Sequence, residues 1–249
     1  MNPMTSPDVD AARSAAEPGR GAPEPAVVLD VWADVVCPWC YLAKHRLRRA
    51  IDGWERPHEV LIRHRAYELD PGMPKGRPVP VNTYLGEKYG GGEAAGARMS
   101  ARAAAIGEQE GLRFDMAHAV KANSYDAHRL IALAREMGGP ALEDAALERM
   151  YSAHFAEGLA IDDHDTLLRC TAEAGMDERR VASVLADDTY GDHVRGDEEE
   201  AQSLGVRGVP FVVANGRVAV SGAQPVDVFL ELLRVAAQPP EDAPTPATS

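Results

Sequence analysis

The chain sets Cys37-Pro38-Trp39-Cys40 between an apolar run, Ala26-Val27-Val28-Leu29-Asp30-Val31-Trp32-Ala33, and a helical pattern. The run is β-branched and almost continuously apolar, as a strand buried on both faces requires. After Pro38, the stretch Trp39 to Ile51 carries Leu42, Leu47, Ala50 and Ile51 in a helical pattern, and Gly53 supplies a stop. Glu59 to Ala66 reads as a second strand. Strand, helix, strand opens an α/β unit, so the cysteine pair lies where a buried strand hands over to a helix.

That position carries chemistry. The first N–H groups of a helix are unsatisfied and partially positive, so they favour a thiolate placed among them. Cys37 is the expected nucleophile. Cys40 lies one turn later on the same face, within disulfide reach, and is the expected resolving thiol. Pro38 suits the first helical position, and Trp39 offers apolar surface beside the sulfur. Asp34, three residues before the nucleophile, is a candidate proton acceptor for Cys40, with a capping or solvated carboxylate as the alternative.

Competing readings of the pair are weaker. Tetrahedral zinc needs four ligands, usually with a second closely spaced pair, which this chain of only three cysteines lacks. Cys170 falls with Leu167, Thr171 and Ala174 on one helical face and reads as a buried core residue. Three cysteines in 249 residues also exclude a disulfide-stapled scaffold. A net charge of −13 argues against general nucleic-acid binding.

The rest of the chain divides by composition. Residues 1–25 and 237–249 are proline-rich and read as disordered tails. The first of these lacks the apolar stretch of a secretory signal, and no run is long enough to cross a membrane, so a cytoplasmic location is expected. Residues 71–92, with four prolines and Gly90-Gly91-Gly92, read as a long loop with a short helical turn. Three apolar stripes follow at helical spacing: Leu130, Leu133, Ala134 and Met137; Leu147, Met150, Tyr151 and Phe155; Val181, Val184 and Leu185. Gly138-Gly139-Pro140, Gly158 and Gly175 punctuate them. Beyond lies a hairpin, Phe211 to Ala214 and Arg217 to Val220 around Asn215-Gly216, then a last helix opened by Pro225. Asn123 reads as a helix cap, His128 as a packing residue, and Glu198-Glu199-Glu200 as a solvated face.

The strand ending Trp32-Ala33-Asp34-Val35-Val36, the Cys37-Pro38-Trp39-Cys40-Tyr41 motif, Gly205-Val206-Arg207-Gly208-Val209-Pro210-Phe211 and the Ser221-Gly222-Ala223-Gln224 turn together resemble the DsbA-like dithiol-disulfide oxidoreductases, FrnE type. The resemblance spans residues 26–236. It implies a thioredoxin-like fold with a large all-helical insertion domain: residues 26–80 and 191–236 as the thioredoxin-like parts, 81–190 as the insertion. It implies catalytic Cys37 and Cys40, and a cis bond before Pro210. The Val209 backbone, with Pro210, Trp39 and Pro38, would then receive an extended substrate segment by strand addition.

The expected function is thiol-disulfide exchange with protein or peptide disulfides, with no cofactor, no metal, no nucleic acid or membrane partner, and a monomer or homodimer as the working form. A glutathione-dependent transferase or isomerase of the 2-hydroxychromene-2-carboxylate isomerase type is the alternative on the same fold. Relatives of that type carry Ser at the first position, so the two cysteines here count against it. A chaperone-like binder with an idle dithiol is the non-enzymatic alternative.

Overall fold

A computed structural model describes residues 25–239. Its central strand is β1 (Val27–Ala33), which leads through a four-residue connection into α1 (Pro38–Asp52). Strand β2 (Val60–Ala66) follows after a 3-10 turn at Pro57–Glu59. Then come β3 (Val79–Pro80), α2 (Val81–Tyr89), α3 (Gly92–Gln109) and β4 (Val120–Lys121). Four helical segments complete the middle of the chain: α4 (Tyr125–Ala156), α5 (His164–Glu173), α6 (Glu178–Ala186) and α7 (Gly191–Ser203). The hairpin β5 (Phe211–Ala214) and β6 (Val218–Ser221) and helix α8 (Val226–Ala237) close the chain.

The main sheet has the order β2-β1-β5-β6. Strand β1 pairs parallel with β2, Val27 opposite Val60 through Ala33 opposite Ala66, and antiparallel with β5, Leu29 opposite Ala214 through Trp32 opposite Phe211. The apolar run is therefore the centre of the sheet, covered on both sides. Val27, Leu29 and Val31 face Leu47 and Ile51 of α1 and Phe229 and Leu233 of α8. Trp32, on the opposite face, packs with Ala201 and Val206, and its Nε1–H donates to the Asp197 carbonyl at 2.9 Å. Asp30 on the same face accepts from Arg63 and Arg65, so the one charge inside the run is neutralised at once.

The two halves of this sheet are separated in sequence by the helices, as expected. All three predicted stripes turn inward. Leu130, Leu133, Ala134, Leu147, Met150, Tyr151, Phe155, Val181 and Val184 are buried in one core that also contains Cys37, Cys40 and Tyr41. The break at Gly138-Gly139-Pro140 is real: Gly139 has φ 66° and ψ −159°, which divides α4 into two arms. Asn215 and Gly216 both have positive φ, as the turn between β5 and β6 demands. Among the described residues no helix is long and apolar enough to cross a membrane.

Several sequence expectations need correction. Residues 81–89, expected to be loop and a short turn, form the regular helix α2. Pro80 and Gly90 stand at the two caps of this helix, which is why a proline- and glycine-rich stretch encloses a regular element. Gly86 and Gly96 sit where α2 crosses α3, and a Cβ built on Gly96 would lie 1.9 Å from the Asn82 carbonyl oxygen. The insertion is also not wholly helical: β3 and β4 form a two-residue antiparallel pair, Val79 with Lys121 and Pro80 with Val120. Helix α8 runs through Ala237, one residue into the expected tail. Both tails otherwise fall almost wholly outside the described residues.

Gly96→Ala should therefore destabilise the protein by ~1–3 kcal/mol through forced separation of α2 from α3. Gly196→Ala, at an exposed helical position with open space around it, should stabilise it by ~0.5–1 kcal/mol. Urea unfolding of the two variants checks the pair, and equal effects would disprove the close crossing.

Candidate active site

The site is built around the end of β1. Asp34 has no exposed surface. Its Oδ1 accepts the Val36 N–H at 3.2 Å, its Oδ2 accepts the Leu69 N–H at 2.7 Å, and its carbonyl accepts the Cys37 N–H at 3.1 Å. One residue thus shapes the connection and ties it to the segment after β2. Cys37 occupies the N-cap of α1 with extended φ −100° and ψ 112°, Pro38 opens the helix, and no acidic residue stands in its first turn. The Cys37 carbonyl accepts from the N–H groups of Cys40 and Tyr41 at 3.0 and 3.3 Å. Nothing anionic in that turn competes with a thiolate for the helix N-terminus.

The second wall comes from the far end of the chain. The Val209–Pro210 bond is cis, as expected, and the Cys37 thiol lies 3.7 Å from the Val209 carbonyl oxygen, its acceptor. The Pro210 carbonyl accepts the Gly222 N–H at 2.8 Å, which joins this segment to the Ser221-Gly222-Ala223-Gln224 turn. Cys37, Cys40, Val209 and Pro210 are thereby brought together. Pro38 and Trp39 are half-buried and line a cavity beside Cys37.

The two thiols differ in surroundings. Cys40 is buried, and burial, followed by its contact with the Cys37 sulfur, pushes its thiol well above the ordinary range. Burial alone would also raise Asp34, but His128, the Lys121 charge and the Leu69 N–H outweigh it and hold the carboxyl at about 2. All three cysteines are free. Cys170 is fully buried on α5, where desolvation raises its thiol, and it takes no part in this cluster.

An aromatic stack clamps α1 to α4. Tyr41 lies over Tyr151 at 4.8 Å and over Phe155 at 5.9 Å between ring centroids. The Tyr41 hydroxyl donates to Glu148 at 2.8 Å, and Lys44 and His45 reach the same carboxylate at 2.7 and 3.2 Å. The Tyr151 hydroxyl donates to the Asp34 carbonyl at 3.4 Å, so the clamp ends on the site itself.

Three sequence readings change here. His128 is more than packing: it is buried with Nε2 3.6 Å from Asp34 Oδ1 and has no hydrogen-bond partner there. Asn123 lies one residue before the N-cap Ser124, yet its Oδ1 accepts the Tyr125 N–H at 3.0 Å while its amide holds the Met73 carbonyl. Glu198 is tied to the Glu68 N–H and to Arg195 rather than solvated. Sequence reasoning missed Lys121, Tyr84 and His154 around the cavity, and no spacing pattern links them. Among the described residues no three His, Cys, Asp or Glu side chains are grouped to hold a metal ion.

A family model described as a DSBA-like thioredoxin domain matches residues 28–234. Among solved structures, a probable DsbA oxidoreductase from Streptomyces coelicolor is similar at 36% identity over 87% of this chain and 93% of that one, with a TM-score of 0.81. The cytosolic disulfide reductase DsbM from Pseudomonas aeruginosa, in its structure with GSH, is 20% identical over 84% of this chain and 98% of that one, TM-score 0.57. A 2-hydroxychromene-2-carboxylate isomerase is 18% identical over 84% and 93%, TM-score 0.60. The last two share the fold alone. A search of curated proteins found no match.

Asp34 makes an acid-stability prediction. Its folded value of about 2 lies below the ordinary 3.8, so its contribution is complete above the ordinary value and is lost as pH falls through about 2. Asp34→Asn should remove ~2 kcal/mol at neutral pH and flatten the loss of stability between pH ~4 and ~2. Urea unfolding at a series of pH values checks this; parallel curves for both proteins would refute it.

Proposed function

Because this chain belongs to the family of DsbA-like thioredoxin domains, we propose that it is a thiol-disulfide oxidoreductase of the FrnE type that exchanges disulfides with protein or peptide substrates through Cys37 and Cys40. The observation that carries this reading is the Cys37 thiol at the acid-free N-terminus of α1, 3.7 Å from the Val209 carbonyl. That carbonyl and the backbone around Pro210 are placed to pair with an extended segment of substrate, while Pro38 and Trp39 give it an apolar seat.

In the reducing direction the Cys37 thiolate attacks one sulfur of the substrate disulfide. That S–S bond breaks, a mixed disulfide forms, and one substrate thiolate leaves. Cys40 then attacks Cys37 Sγ, which releases the second substrate thiol and leaves the Cys37–Cys40 disulfide. Burial keeps Cys40 protonated until that moment, so the nucleophile and the resolving thiol are distinguished by environment. The proton leaving Cys40 passes to the departing substrate thiolate, which leaves as the thiol. A carboxyl held at about 2 is too weak a base to take that proton, so Asp34 acts by holding the connection between β1 and α1 in place.

We place this activity in a reducing compartment, the cytoplasm, where the dithiol is kept ready for attack. Glutathione is a fitting electron partner: a structure of the same fold, DsbM, was solved with GSH. The retained second cysteine favours exchange over glutathione-dependent isomerisation, since resolution by Cys40 ends in a disulfide rather than in a transferred group.

Insulin-disulfide reduction with a thiol donor tests the assignment. Cys37→Ser should abolish it, a loss of at least ~10³-fold, and Cys40→Ser should accumulate a mixed disulfide visible by mass spectrometry. Full turnover by the Cys37→Ser protein would overturn the proposal.

A further inference from the structure

The cavity beside Cys37 has a volume of about 360 Å³, the size of a small-molecule site. Its walls are Trp39, Leu69, Val81, Leu85, Met116 and Phe155. Its mouth is apolar as well. Of the five large apolar side chains exposed among the described residues, Leu69, Tyr89 and Met99 stand on it. Such a concentration marks a binding surface rather than scattered exposure.

Charge in the cavity has one sign. Lys88, Arg102 and Lys121 line it, and no Asp or Glu among the described residues does. Lys88 and Arg102 are exposed, and Lys88 is occupied in part by a 2.7 Å hydrogen bond to the Tyr84 hydroxyl. Lys121 is different. It is only 5% exposed, and no described carboxylate lies within ion-pairing distance of its Nζ. Its Nζ lies 5.6 Å from the centroid of the Tyr84 ring, and the buried Asp34 carboxylate feels its charge only from beyond ion-pairing distance. A buried ammonium is ordinarily paired, because desolvation without a partner is costly. Here the unpaired cation faces an apolar chamber that opens at a nucleophilic sulfur.

We propose that this cavity receives one half of a small disulfide with an apolar body and an anionic group, and that Lys121 binds the anion while the disulfide reaches Cys37 Sγ. This rests on the dithiol chemistry proposed above and names a substrate class for it. The apolar walls take the body, and the carboxylate or similar group completes the ion pair that the folded chain leaves open. Exchange then follows in balance. The Cys37 thiolate attacks, the probe S–S bond breaks, one thiolate leaves, and Cys40 resolves the mixed disulfide. Two electrons pass from the protein dithiol to two small thiols.

The test uses the pre-reduced full chain in single turnover with two aryl disulfides, each rate divided by that of free dithiothreitol with the same probe. One probe, 5,5′-dithiobis(2-nitrobenzoate), carries carboxylates, and the other, 4,4′-dithiodipyridine, is neutral. The Cys37→Ser protein serves as the blank. With release of the first thiolate, before Cys40 acts, as the readout, Lys121→Met should slow the carboxylate probe at least about tenfold and the neutral probe by no more than about twofold, as expected for loss of a charge-assisted contact. Lys121→Arg should restore most of the preference. Equal effects of Lys121→Met on both probes, or none on either, would overturn the inference. Inertness of the unmutated protein toward both probes would instead overturn the dithiol reading beneath it. Thermal unfolding of Lys121→Met checks that the fold is retained, which the near-equal volume of Met favours.

Discussion

A carboxylate with no exposed surface is tolerable only when its surroundings answer it, and Asp34 is answered from three parts of the chain. The Val36 N–H lies in the connection it shapes, the Leu69 N–H lies beyond β2, and His128 lies in the helical insertion. Its own carbonyl receives the Cys37 N–H and the Tyr151 hydroxyl. The sheet, the start of α1 and the insertion are therefore positioned against a single residue. Because charge desolvation is costly, each partner must stay in place for the burial to be tolerated. The cysteine pair inherits that rigidity.

Most of what positions Cys37 was readable from local pattern. A two-sided apolar strand, a proline at the first helical position, a glycine stop and an Asn-Gly turn are encoded over neighbouring residues, so β1, α1 and the β5–β6 hairpin could be placed from sequence. The stripes around Leu130, Leu147 and Val181 were legible for the same reason, since burial imposes a helical period. The prolines before α2 and Gly90-Gly91-Gly92 after it hid that helix, because residues that cap a short helix are also those that make a loop. Lys121 sits in a two-residue strand too short to carry a period, and its lack of a described carboxylate within ion-pairing distance is a property of the folded chain alone. His128 belongs to a helix face that sequence places inward, but only the fold sets it against Asp34.

The acidic balance illustrates the gap between net charge and local field. At −13 the chain as a whole repels anions weakly over distance, and salt screens that repulsion within about 8–10 Å. Much of the acid is consumed in pairs: Asp30 with Arg63 and Arg65, Glu148 with Lys44, Glu110 with Arg46 and Arg49. The charged side chains that line the cavity beside Cys37 are Lys88, Arg102 and Lys121.

Cys37 and Val209 stand 172 positions apart, with the whole helical insertion between them. Strand β1 is made early, but its antiparallel neighbour β5 comes near the end. A chain growing from the ribosome carries Cys37 through nearly all of synthesis without the Val209 carbonyl over the sulfur or β5 beside β1. Contacts of such long range are slow to form, because loop closure precedes their reward. The arrangement therefore times the site as well as shaping it: Cys37 and the Val209 carbonyl meet only once the chain has passed the insertion, and an aborted product ending within it carries the Cys37–Cys40 pair without the Val209–Pro210 wall.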